Sequence, residues 1–424
     1  MSTETVTRSV VMFPWLAYGH ITPFLGLAKN LVDRGFLIHL CSTLVNLNSI
    51  KNNIPQAYSE SIRLVELHLP ESPHLPPHYQ TTNGLPRHLH DALKKVLNMA
   101  APDFAKILKT LNPYLVIHDT MQPWFVKLAL SLDIPAVPFF TTSAAVGSYF
   151  SHIMNKSAAE FPFPALLLRR YEPEDYLDSP PPSMMLVNSS KEVEAKYIDC
   201  MSEVLKCKAP ANQERDYETE LMDWLGRKSA RSTVFVLFGS EYFLSKEDTE
   251  EIAYALELSN VNFIWVLRFP KGEEISAREA LPPGFLERIG ERGRIRPVEG
   301  WAAQGKILGH RSTGGFVTHC GWNSIIESLS LGVPIIAMPM QLDQPVNARL
   351  MVEIGAAVEV ERDDDGKLHR AEMAEAVRGA VGGKVGEKLK RNVKRISEDL
   401  KSGGSKEMDA VAEELVKLCA KLEG

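Results

Sequence analysis

Between Trp301 and Gln344 the chain gathers polar side chains where an apolar run gives way to a turn and then a helix. Gly314 to His319 reads as a short buried strand and Cys320-Gly321-Trp322 as a tight turn. Asn323-Ser324 opens an amphipathic helix carrying Ile325, Ile326 and Leu329. The first N–H groups of a helix have no internal partner and carry partial positive charge. His319, Gly321, Asn323 and Ser324 therefore stand where a diphosphate can be held. Glu327, four residues after Asn323, shares its helix face and offers a carboxylate to two vicinal hydroxyls such as those of a ribose. Trp301 offers a flat face for a base. Asp343-Gln344, after the apolar run Val333 to Met338, offers groups for further hydroxyls. Base, ribose, diphosphate and sugar make a nucleotide-sugar.

Moving a sugar to a hydroxyl also requires a base for the incoming group. His20 follows an apolar strand and the Gly19 turn, just before a helix, and an imidazole has suitable basicity near neutral pH. On spacing alone, a loop histidine is as readily structural. Asp119 follows the strand Leu115 to His118 and suits the orienting carboxylate of a base pair, or equally a turn cap ahead of Pro123. His118 is the rival base, although alternation along a strand points it away from Asp119. Gly239-Ser240 ends another apolar run and offers phosphate donors, a pattern that simple turns share. Thr141-Thr142, after Ala136 to Phe140, is a candidate for touching the donor sugar.

These residues resemble the signature box of plant family-one UDP-glycosyltransferases. The resemblance rests on Trp301, Gln304, Ile307-Leu308, His310, Gly314, Phe316, Thr318 to Ser324, Glu327, Gly332-Val333-Pro334, Pro339 and Asp343-Gln344. Ala303 departs from it, since the family usually has proline there. Trp15 to Phe24 matches the family's catalytic histidine loop, and His118-Asp119-Thr120 with Gln122-Pro123-Trp124 matches the segment holding its aspartate. The resemblance implies that His20 is the general base and Asp119 its partner. Donor contacts carried over are Gly239, Ser240, Trp301, Ala302, Gln304, His319, Trp322, Asn323, Ser324, Glu327, Asp343 and Gln344, with Thr142. It further implies in-line transfer with inversion, a UDP-sugar as co-substrate, no cofactor and no metal. Gln344 commonly accompanies a glucose donor. Asn83 to Pro86 and Gly239 to Phe243 look like the branch that extends existing glycosides. Trp15, Tyr18, Phe24, Gln122, Trp124 and Phe140 are acceptor-pocket candidates that core packing would explain as well.

The elements that must position these groups alternate. Ser9 to Phe13, Phe36 to Cys41, Ile62 to Leu67, Leu115 to His118, Ala136 to Phe140 and Met184 to Val187 read as strands. Helices are expected over Ile21 to Arg34, Leu89 to Leu111, Pro123 to Leu132 and Val193 to Leu205. A polar junction over Lys206 to Glu218 precedes a second such run, with strands Thr233 to Phe238, Phe263 to Leu267 and Ala356 to Val360. Gly403-Gly404-Ser405 is expected to separate a terminal helix, Met408 to Leu422. This rhythm predicts an α/β chain of parallel sheets. The resemblance makes it a GT-B fold, two Rossmann-like domains facing a central cleft. The expected divisions are an acceptor domain over 1–208, a donor domain over 209–405, and a helix over 406–424 returning to the first domain.

At 424 residues the chain is too long for one ordinary core. A net charge of −6 argues against a nucleic-acid partner. No apolar run approaches the ~20 residues that span a membrane, and the start lacks a signal pattern. Five scattered cysteines fit reduced thiols in the cytoplasm. Asp363-Asp364-Asp365 reads as a solvated turn rather than a metal motif. The expected activity is transfer of glucose from UDP-glucose to a hydroxyl of a plant glycoside, by a monomer. Alternatives are an aglycone acceptor, another UDP-sugar, a UDP-sugar epimerase or a sugar-nucleotide binding protein.

Overall fold

Val10 and Met12 of the first strand point to one side and Val11 and Phe13 to the other, all four wholly buried. The structure is a computed structural model that describes residues 8–122, 124–154, 156–169, 171–172, 185–201, 204–207, 219–269, 276–297 and 303–420. A strand apolar on both faces belongs inside a parallel sheet covered by helices on each side. This strand, β1 (Arg8–Phe13), pairs in parallel with β2 (Phe36–Ser42) and with β4 (Leu115–Asp119). The other members are β3 (Ile62–Glu66), β5 (Ala136–Phe140), β6 (Met185–Asn188) and β7 (Val204–Cys207), in the order β3-β2-β1-β4-β5-β6-β7. Growth of the sheet reverses between β1 and β4, which is where such folds bind ligands.

The helix Tyr18–Val32 covers one face with Ile21, Phe24, Leu25, Leu27 and Ala28, joined by Met408, Val411 and Leu415 from far down the chain. The helices His90–Met99 and Ala101–Leu111 cover the other face with Leu93, Leu97, Phe104 and Leu108.

The second sheet is built the same way. Its strands are β8 (Thr233–Leu237), β9 (Asn262–Leu267), β10 (Gly293–Pro297), β11 (Thr313–Thr318), β12 (Ile335–Ala337) and β13 (Ala357–Glu359), all parallel, in the order β10-β9-β8-β11-β12-β13. Its reversal lies between β8 and β11. The described residues divide into two compact units, one drawn from 1–144, 179–212 and 403–424, the other from 145–178 and 213–402. Among the described residues no helix is long and apolar enough to cross a membrane.

Four elements differ from expectation. The helix after β1 begins at Tyr18, so His20 lies in its first turn. The long helix over Leu89 to Leu111 is two helices meeting at Ala100, because Pro102 fits a helix's first turn and not its interior. The helix expected over Val193 to Leu205 runs from Lys191 to Cys200, and Val204–Cys207 is instead β7, paired with β6. Gly403-Gly404-Ser405 does not end a helix. One helix runs from Gly383 to Ala420, and a Cβ on Gly403 would collide with the Glu192 carboxylate crossing it.

Candidate active site

His20 and Asp119 come together at the reversal point of the first sheet. Asp119 ends β4 and is wholly buried, while His20 keeps about a quarter of its side chain exposed. Asp119 Oδ2 lies 2.7 Å from His20 Nδ1 and also accepts from the Trp15 backbone N–H at 3.2 Å; Oδ1 accepts from the Met121 N–H at 3.0 Å. A carboxylate in that position is an acceptor, so it fixes the proton on Nδ1 and leaves the lone pair on Nε2, the tautomer a general base needs. Thr141 Oγ1 also reaches Nδ1, at 3.0 Å. The loop ahead of the helix is tied down from outside: the Thr81 and Thr82 hydroxyls and the Thr82 N–H all donate to Leu16 O. His118 faces away from Asp119, as strand alternation requires. Its ring stacks on Phe125, its Nδ1 donates to Asp119 O at 2.9 Å, and burial holds its pKa below the ordinary imidazole value.

On the second sheet, β8 and β11 flank the reversal and deliver Gly239-Ser240 and His319 to neighbouring strand ends. Gly239 has φ of +76°, and a Cβ there would lie 2.7 Å from His319 Cε1 and Nε2. A Cβ on Gly321 would lie 2.8 Å from the same Nε2. The ring is thus packed between two glycines, and burial pushes its pKa down to about 4, so it is neutral at pH 7. The helix Trp322–Ser330 follows, with Gly321 as N-cap. Its first intrahelical bond runs from the Ile325 N–H to Gly321 O, so the amides of Trp322, Asn323 and Ser324 lie ahead of the ladder. The Trp322 ring is buried, leaving its main chain as the part near the helix end.

Gln304 opens the helix Gln304–Gly309, and its Nε2 donates to Glu327 Oε2 at 2.5 Å and to Ser324 Oγ at 3.4 Å. Gln344 opens the helix Gln344–Glu353, with Asp343 as N-cap. Its Oε1 accepts from the Met340 and Gln341 N–H groups, which sets the amide nitrogen as the donating end. Trp301 and Ala302 lie outside the described residues.

The acceptor candidates divide. Phe24 is wholly buried and meets Phe139 edge-on, so it is core and not pocket wall. Trp15 and Phe140 are almost fully buried, whereas Tyr18 and Trp124, like the donor candidate Thr142, keep partial exposure. Gln122 is buried, and its backbone N–H donates to Asp119 O at 3.3 Å. Asp363 sits in a turn where its Oδ1 accepts from the Asp365 and Lys367 N–H groups. Thr141 reaches the imidazole, a role that its place after a strand does not signal.

Two doubly wound parallel sheets, each gathering polar residues at its reversal point, make the GT-B glycosyltransferase architecture. Residues 5–212 match the family profile "Glycosyltransferase, N-terminal domain", and residues 201–409 match "UDP-glucoronosyl and UDP-glucosyl transferase". The chain is 51% identical to the beta-D-glucosyl crocetin beta-1,6-glucosyltransferase of Gardenia jasminoides, covering 96% of this chain and 98% of that one. It is 42% identical to the cyanidin-3-O-glucoside 2-O-glucuronosyltransferase of Bellis perennis, covering 98% of each. The structure of Phytolacca americana UGT2 complexed with UDP-2fluoro-glucose and pterostilbene matches with a TM-score of 0.78 at 26% identity, covering 97% of this chain and 100% of that one. The chain belongs to the plant family-one UDP-glycosyltransferases and is an enzyme whose co-substrate is a UDP-sugar.

Proposed function

We propose that the enzyme transfers glucose from UDP-glucose to a hydroxyl of an existing glycoside, with inversion and without a metal. The observation that carries the chemistry is the 2.7 Å pair between His20 Nδ1 and Asp119 Oδ2. Nε2 takes the proton of the acceptor hydroxyl as its oxygen attacks the anomeric carbon. Asp119 stabilises the imidazolium that forms. The diphosphate leaves into the donors around Gly239-Ser240, His319 and the start of the helix Trp322–Ser330. Glu327 and Gln304 hold the ribose, and Gln344 Nε2 with Asp343 holds the sugar hydroxyls. Support for a glycoside acceptor comes from the Gardenia and Bellis relatives, both named for a glucosylated acceptor. The Bellis relative is a glucuronosyltransferase, so UDP-glucuronate is the donor to set against UDP-glucose.

The test is a mass-spectrometric screen of paired glycosides and aglycones with several UDP-sugars, run with and without EDTA. Hexose addition to glycosides, unaffected by EDTA, is expected. Modification of aglycones alone would reject the acceptor class, and loss of activity restored by a divalent metal would reject the metal-free mechanism.

A further inference from the structure

A carboxylate buried far from the His20–Asp119 pair in sequence is built into its support. Glu194 is wholly buried in the helix Lys191–Cys200, where its own backbone departs from helical geometry at φ −130° and ψ 22°. Its Oε2 accepts from Ser189 Oγ at 2.6 Å and from the Ala144 N–H at 3.2 Å. Ser189 follows β6, and Ala144 opens the helix Ala144–Ile153 that follows β5. Since β5 and β6 are neighbours in register, Phe140 opposite Val187, one carboxylate bolts two adjacent strand ends together. The short connection it holds is Thr141-Thr142-Ser143, and Thr141 Oγ1 is the group 3.0 Å from His20 Nδ1.

Burying a carboxylate is costly unless hydrogen bonds compensate it, and a helix's first N–H groups are suited to do so. The arrangement fixes where the β5 turn sits, and through it where Thr141 meets the imidazole. We infer that Glu194 is a positioning residue for the transfer reaction, acting through the Thr141 turn on the orientation of His20. This rests on the reading of His20 as the base. A displacement of a reacting group by about 1 Å can cost about 100-fold in rate, so a residue that never meets substrate can still govern turnover.

The experiment is a double-mutant cycle of Glu194→Ala and Thr141→Val, with kcat, KM for UDP-glucose and the pH profile of kcat/KM measured per folded molecule. Glu194→Ala is expected to lower kcat about 10- to 100-fold and move the acid limb of the profile. In the Thr141→Val background most of that loss should disappear, because both changes act through one contact. Glu194→Gln, which keeps an acceptor oxygen, should recover much of the activity. Ser189→Ala, which removes only one of the groups that Glu194 accepts from, takes the place of Glu194→Ala in the cycle if that variant fails to fold. A loss of thermal stability alone, with wild-type kcat and acid limb, would overturn the inference, as would effects that simply add. His20→Ala is run alongside. Activity surviving there rejects the base reading itself, whereas loss there with a silent Glu194 rejects only the positioning role.

Discussion

His20 and His319 are two imidazoles in opposite settings. His20 has a carboxylate on Nδ1, and replacing it by alanine should lower kcat about 10²- to 10⁴-fold while calorimetric UDP affinity is unchanged. An active His20→Ala enzyme would remove the base assignment. His319 is held at a pKa of about 4 by burial, against an ordinary value of 6.5. Its folded pKa is depressed, so as pH falls the unfolded chain takes the proton first. The stability it contributes is complete above about pH 6.5 and is lost as pH falls toward 4, by at most about 3 kcal/mol. Urea unfolding of wild type and His319→Asn between pH 7 and 4.5 measures this, and the asparagine variant should lose less. Equal losses would show that the ring does not carry the effect. Much of this scale was legible in the sequence, because Asp119 and His319 stand at strand ends and His20 follows a strand and a turn. Glu194 was not, since a glutamate in a charged helix reads as a solvated face, and only the tertiary fold shows it buried.

At the scale of elements, the turn after β8 is closed by one atom's worth of space. Gly239→Ala puts a Cβ at positive φ and against the His319 ring, which should cost about 1–3 kcal/mol and weaken UDP binding. Thermal unfolding with a UDP titration reads both, and wild-type affinity would mean that the glycine is not required for the phosphate turn. Strands were the easiest elements to read, because two-sided apolar runs such as Val10 to Phe13 have few other uses. Helix ends were harder. Pro102 did mark a helix start, but the apolar periodicity running through Leu97 and Phe104 hides the break at Ala100. Gly403-Gly404 misled for a related reason: glycine pairs usually stop helices, and here one of them lies under the Glu192 carboxylate.

At the scale of the whole chain, one helix serves both units. Leu389 packs in the core of the second, and Met408, Val411 and Leu415 pack in the core of the first. Ending the chain after Ser402 removes those three side chains from beneath β1 and β2. Each large side chain deleted from a core costs about 2–5 kcal/mol, so the first unit should not stay folded. Limited proteolysis is expected to digest the region around His20 while residues 219–402 persist. Equal resistance of both regions would show that the helix is dispensable.

That helix also sets an order of events during synthesis. β1 leaves the ribosome long before Met408, Val411 and Leu415, the residues that complete the cover of one of its faces. A nascent first unit therefore carries an open apolar face while residues 213–402 of the second are being made. The second unit, whose core is drawn from 213–402, has all its residues available earlier than the first does. The domain begun first is the domain finished last, and its exposed face is where chaperones would be needed.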